Sequence, residues 1–274
     1  MKHQNILIVV MVAIIAVSAG AVLYDVHARN ASASTSTSKK TTTASKTSTA
    51  SQSKTGTSTQ TKPAANQKTV VLDPGHSSVM PSGSEPVGPG ASETKAKDMV
   101  GTKGVATGVT EYDFMLNLAN KLKPELEKRG YKVVLTRTDS NSAHSCVERA
   151  QVANDNNADA FIRLHANAAE SSTPTGAMTI NITAHNPYTA STYSQCRKLS
   201  DCLIKAYCTA TGAKSEGVVE RDDLTGNNWA KVPTTLIEVG YMTNPTEDKL
   251  MQTDAHQTKM VQGIANGIDQ FFAN

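Results

Sequence analysis

Thr-Val-Val-Leu-Asp-Pro-Gly-His, residues 69–76, decides the fold. Thr69 to Leu72 is a β-branched and apolar run too short for a helix, and Pro74 and Gly75 end it in a tight turn. It reads as a buried strand with a histidine just past its carboxyl end. The same grammar recurs downstream. Tyr131–Thr136, Ala160–Leu164 and Gly176–Thr183 read as strands, the second running into His165, and Thr234–Val239 is a strand that carries Glu238. Between them lie helical patterns. Phe114, Met115, Leu118, Leu122 and Leu126 mark one face of a helix that Thr110 would cap, with Asp113 three residues on, and that Gly130 ends. Pro124 conflicts with this helix and should kink or break it. Further helices are expected at Ser145–Asn156, Ser191–Thr211 and Thr253–Phe272, whereas 77–110 is a long segment rich in Gly, Pro, Ser and Thr. Alternating strands and helices over about 200 residues imply one α/β domain: a mainly parallel central sheet with helices on both faces.

In open sheets of this kind, ligands bind outside the carboxyl ends of the strands. His76, His165 and Glu238 all sit there, and Glu111 opens the helix after the first strand, on the same edge. Two histidines and a carboxylate match the ligand set of a catalytic zinc site, and a further carboxylate can take a proton from water. Each residue also has a plainer role: hydrogen-bonding histidines, helix-dipole stabilisation for Glu111, an ion pair for Glu238. The remaining histidines (His3, His27, His144, His185, His256) read as solvated. The sequence has no Gly-x-Ser-x-Gly elbow and no Gly-rich phosphate loop.

Residues 1–68 hold eight of the 27 Lys and Arg but one of the 24 Asp and Glu. The sequence from 69 onward is therefore mildly acidic, which excludes a nucleic-acid binder. Ile6–Leu23 is an uncharged apolar stretch that would span about 27 Å as a helix, near the minimum for a bilayer. We read 1–28 as a signal peptide or membrane anchor, 29–68 as a Ser/Thr/Lys-rich disordered tether, and 69–274 as the catalytic domain. Cys196, Cys202 and Cys208 fall about 9 Å apart on one helix, too far to bridge as neighbours. With Cys146 they read as small buried residues, one pairing to Cys146 being the alternative.

The ordered motifs Val-Leu-Asp-Pro-Gly-His (71–76), Glu111, 130–138, Glu-Arg-Ala-Gln-Val-Ala-Asn (148–154), Ala-Asp-Ala-Phe-Ile-Arg-Leu-His-Ala-Asn (158–167) and Pro-Thr-Thr-Leu-Ile-Glu-Val-Gly-Tyr-Met-Thr-Asn (233–244) resemble the zinc-dependent N-acetylmuramoyl-L-alanine amidases of bacterial cell walls (the amidase 3 family). The resemblance covers 69–272. It implies a phosphorylase/hydrolase-like domain holding one zinc ion on His76, Glu111 and His165, with Glu238 as acid/base. The implied reaction cleaves peptidoglycan between the lactyl group of N-acetylmuramic acid and L-alanine of the stem peptide. The implied setting is the cell wall outside the cytoplasmic membrane, for a secreted or N-terminally anchored monomer with room for an activator protein. Competing readings are a zinc peptidase acting within the stem peptide and a catalytically silent wall-binding protein. Arg149 and Asn154 read as a buried polar anchor. Asn167 either orients His165 or touches substrate, Arg163 shares the His165 side of the sheet and is expected to meet the peptide's carboxylates, and Arg221 with Asp223 reads first as part of a solvated loop, lining the groove being the alternative. Ser77 and Ser78 stand where the family usually has glycines, and the long 77–110 segment either borders or covers the cleft or is a decorative insertion.

Overall fold

The structure, a computed structural model, describes residues 67–273. The expected export segment and all of the expected tether but Gln67 and Lys68 lie outside the described residues. Among those described, no helix is long and apolar enough to cross a membrane.

The chain runs β1 (Thr69–Pro74), β2 (Ser84–Pro86), β3 (Thr94–Ala96), α1 (Glu111–Lys128), β4 (Lys132–Leu135), α2 (Cys146–Asp155), β5 (Ala160–Asn167) and β6 (Ala177–Asn181). It continues through α3 (Tyr193–Thr211), β7 (Ser215–Glu220), α4 (Thr225–Trp229), β8 (Thr234–Tyr241), α5 (Pro245–Met251) and α6 (Asp254–Ala273). Six strands form one sheet in the order β4-β1-β5-β8-β6-β7. The first four are mutually parallel, β6 runs antiparallel to β8, and β7 is parallel to β6. The fold is thus the expected single α/β domain with a mainly parallel sheet.

Period-two alternation sorts the strand residues to two unlike faces. Val70 and Leu72, Ile162 and Leu164, and Ile237 and Val239 join the large apolar core with residues of α1, α3 and α6. Val71 and Phe161 point the other way, into a smaller cluster with Ala150, Ala153 and Ala230. Helices therefore lie on both faces.

Several local expectations are corrected. Thr110 does not cap α1; its hydroxyl donates to Asp113 Oδ2 at 2.7 Å instead of accepting a backbone N–H. The capping box forms at α2, where Ser145 and Glu148 bond each other's backbone amides. Pro124 does not break α1, which continues through it. The carbonyl that Pro124 leaves without its helical partner belongs to Asn120, an exposed residue. The 77–110 segment contains the β2–β3 hairpin. Among the cysteines none is disulfide-bonded, and only Cys196 is buried. His256 is buried rather than solvated.

Candidate metal centre and its cleft

Because β1, β5 and β8 are parallel neighbours, their carboxyl ends converge. His165 and Glu238 are direct register partners across β5 and β8. His76 leaves β1 through a left-handed backbone, φ 59°, a conformation that costs a non-glycine residue energy and turns its ring back over the edge. Gly75 lets this happen: a Cβ there would lie 2.5 Å from His165 Cε1. The two imidazoles meet edge to face, centroids 4.8 Å apart.

Glu111, first residue of α1, is not an exposed dipole partner. It is buried, its Oε1 accepts from Ala166 N at 3.1 Å, and its Oε2 accepts from Thr102 N at 2.9 Å. Oε1 also lies 3.4 Å from His76 Nε2 and 3.1 Å from His165 Nδ1. Ligands about 2.1 Å from a tetrahedral ion stand about 3.4 Å from one another, so both carboxylate–histidine distances suit zinc, and one ligand atom from each of the three residues lies within 4.8 Å of the others. His76 Nδ1 donates to Met99 O at 2.7 Å, which leaves Nε2 to face the cluster, the arrangement that orients metal-binding histidines. Gly101 keeps the opening: a Cβ there would meet His76 Cδ2 at 2.6 Å and Glu111 Oε2 at 2.7 Å.

The electrostatics follow from this crowding. Burial alone would lower the His76 pKa, but hydrogen bonds to Asp98 and Glu111 raise it to about 10. Burial would raise Glu111, yet the two imidazoles hold it well below the usual carboxylate range. Burial lowers His165. Glu238 is pushed up to about 8 by burial first and by the negative charge of Glu111 second. Its Oε2 is shielded from solvent and has no hydrogen-bond partner, as has His165 Nε2. Two buried polar atoms without partners beside a three-ligand cluster mark a site built to receive something.

The residues proposed for substrate divide. Arg163 is 5 % exposed and spends its charge on Asp73, with Nε 3.0 Å from Oδ2 and Nη1 3.2 Å from Asn227 Oδ1. It contributes to the cleft wall but is not a free cation. Asn167 does not orient His165; its Oδ1 accepts from Ala168 N at 2.8 Å. Arg221 and Asp223 do line the cleft, a cavity of about 350 Å³ that also contains His76, His165 and Glu238. The polar anchor is as expected. Arg149, 1 % exposed, bonds Asp73, Asp98 and the carbonyls of Pro74 and His76, while Asn154 bonds Trp229 O and Lys231 N. Asp98 and Met99 went unnoticed in the sequence because their partner, His76, lies across the loop. Ser77, in place of glycine, is buried and donates to Ser140 O at 3.0 Å, tying the His76 loop to its neighbour. The 77–110 segment borders the cleft through Lys95, Ala96, Asp98 and Met99.

The profile of a family described as N-acetylmuramoyl-L-alanine amidase matches residues 70–270. The probable cell wall amidase LytH of Staphylococcus aureus is 30% identical over 206 residues, 75% of this chain and 59% of that protein. The chain therefore spans about three-fifths of the length of the curated relatives it matches. The catalytic domain of CwlV, an N-acetylmuramoyl-L-alanine amidase from Bacillus (Paenibacillus) polymyxa var. colistinus, superposes with TM-score 0.61 at 27% identity, covering 76% of this chain and 99% of that one. The CwlD amidase from Clostridioides difficile, solved in complex with the GerS lipoprotein, shares the fold at 24% identity and TM-score 0.62, covering 76% and 99%.

Proposed function

The chain belongs to the N-acetylmuramoyl-L-alanine amidase family, and from that premise we propose that it is an exported, zinc-dependent peptidoglycan hydrolase. It cleaves the amide between the lactyl group of N-acetylmuramic acid and L-alanine of the stem peptide. The observation that carries this reading is the convergence of one ligand atom each from His76, Glu111 and His165 within 4.8 Å of one another, with Glu238 the register partner of His165.

His76, Glu111 and His165 would hold the ion. When bound, zinc supplies Lewis-acid polarisation of the amide carbonyl and makes a nearby water more acidic. Glu238 accepts the proton of the attacking water and returns it to the departing nitrogen of L-alanine. Burial and the negative charge of Glu111 raise the pKa of the Glu238 carboxyl above the ordinary range, which makes it a better proton acceptor than a solvated carboxylate. Glu111, held ionised, cannot serve as that base because its oxygens are taken by Ala166 N, Thr102 N and the histidines.

Residues 1–28 export or anchor the chain, 29–68 tether it, and 69–274 act on the wall outside the cytoplasmic membrane, as a monomer and without nucleic acid. An activator protein is a further element of the proposal, by analogy with the complex of CwlD and GerS.

The test incubates the full chain with purified peptidoglycan, with chelator and with added zinc, and identifies products by mass. Intact stem peptides bearing a free L-alanine amine, appearing only with metal, are expected. Fragments cut within the stem peptide would replace the reading by a peptidase. Wall binding without any product, from a folded zinc-loaded chain and with candidate accessory proteins present, would replace it by a silent wall binder.

A further inference from the structure

The cleft holds a second charged cluster that the metal ligands and Glu238 do not use. Arg221 follows β7, and Lys95 lies in the middle of β3, on the segment inserted after His76. Asp223 stands between them. Arg221 donates to both Asp223 oxygens through Nε and Nη2. Lys95 Nζ donates to Asp223 Oδ2 at 3.1 Å and to Asp223 O at 2.6 Å. Two cations thus share one carboxylate, and a positive charge is left over.

That surplus faces the cavity. Lys95, Asp223 and Arg221 line it together with His76, His165 and Glu238. The other cations of its wall, Arg149 and Arg163, are buried and held by Asp73 and Asp98. Arg221 Nη1 and one hydrogen of the Lys95 ammonium have no acceptor among the described residues. The side chains of Lys95 and Arg221 are 35% and 46% exposed, so a ligand in the cleft can reach them.

The position of Lys95 is fixed, not left to a free loop. Trp229 Nε1 donates to Pro86 O at 2.9 Å, and Asn228 Nδ2 donates to Val87 O at 2.9 Å, so the hairpin is fastened to α4. Asp223 in turn orients the Arg221 fork, with its planar donors set for a second carboxylate. Donors fixed before binding lose little entropy when a ligand arrives.

We propose that Lys95 and Arg221, oriented by Asp223, form a carboxylate-recognition site that selects stem peptides carrying a free carboxylate near the scissile amide over the same peptides with that group amidated. The inference rests on the amidase reading, whose substrate it specifies. The expected role of Arg163 passes to this pair, because Asp73 already neutralises Arg163.

Lys95 is the better probe, since the charge of Arg221 also acts on Glu238. Zinc-loaded full-length chain carrying Glu238→Gln is titrated with two pairs of muramoyl peptides. One pair differs in a carboxylate or carboxamide on the second residue, the other at the peptide terminus. In one of the pairs the carboxylate form should bind about tenfold more tightly, and that pair identifies the group that is read. Lys95→Met should shrink the ratio to about twofold or less, Lys95→Arg should keep it, and added salt should weaken it. In the otherwise native chain the Lys95→Met change should raise KM for the carboxylate substrate with little change in kcat. Equal affinity within both pairs, or a preference that survives Lys95→Met, overturns the site. Hydrolysis without preference overturns the site and leaves the amidase reading standing; preference in binding without any hydrolysis does the reverse.

Discussion

The two faces of the central sheet are built from the same strands and do opposite work. On the α1, α3 and α6 side, Leu72, Leu164 and Ile237 are fully buried among apolar neighbours. On the α2 and α4 side, the alternate positions of β1 and β5 change from Val71 and Phe161 to Asp73, Arg163 and His165 as the strands approach their carboxyl ends. There the protein buries a network in which Asp73 holds Arg149 and Arg163, and Asp98 holds Arg149 and His76. Buried ion pairs give little net stability over apolar packing, but removing one partner is costly. The apolar face keeps the fold, and the charged face spends stability to hold a backbone and two histidines in place.

The comparison is broken most sharply at Asp73. Asp73→Asn leaves Arg149 and Arg163 short of a counter-charge and should cost about 3–5 kcal/mol in urea unfolding. It should also weaken metal binding, because Arg149 holds the carbonyl of His76. Leu164→Ala, on the apolar face of β5, should cost about 2–5 kcal/mol but leave the metal affinity of the folded chain unchanged. Equal effects of the two on metal affinity would erase the distinction between the faces.

Acid probes the same contrast with a smaller change. Burial would raise the pKa of Asp73, yet Arg149 and Arg163 hold it well below the usual carboxylate range. A lowered folded pKa contributes stability that is complete above the unfolded value of about 4 and is lost as pH falls below it. The urea midpoint of the native chain should therefore drop between about pH 5 and pH 3, and more steeply than that of Asp73→Asn. Parallel curves would mean that Asp73 adds nothing to the acid sensitivity. The smallest effect is expected at the α2 cap. Ser145→Ala removes the acceptor of Glu148 N and should cost about 1 kcal/mol, since α2 also carries the Arg149 anchor.

The apolar face was legible because its signal is local. Val-Val-Leu at 70–72 and the Phe114 to Leu126 stripe declare strand and helix through their own spacing. The site residues were legible because sheet topology, not side-chain detail, brings strand ends together, and β1, β5 and β8 are indeed neighbours. What stayed hidden depends on distant partners. Arg163 resembled a substrate contact until Asp73, 90 residues earlier, proved to be beside it. Thr110 with Asp113 and Ser145 with Glu148 both have the capping-box spacing, but only the second forms the box. β7 has two valines among polar neighbours, too little alternation to announce a strand, and α4 and α5 are five and seven residues long.

The central claim, that the charged edge is a metal site served by a separate proton carrier, is tested most directly by metal content and activity together. Zinc per chain and amidase turnover are measured for the native protein, His165→Ala and Glu238→Gln, each checked for folding by circular dichroism. The account predicts one zinc per native chain and a folded His165→Ala chain that loses it. It predicts that Glu238→Gln keeps one zinc while turnover falls by about 10²–10⁴-fold. A Glu238→Gln chain that turns over normally, or a His165→Ala chain that binds zinc as the native one does, would contradict it.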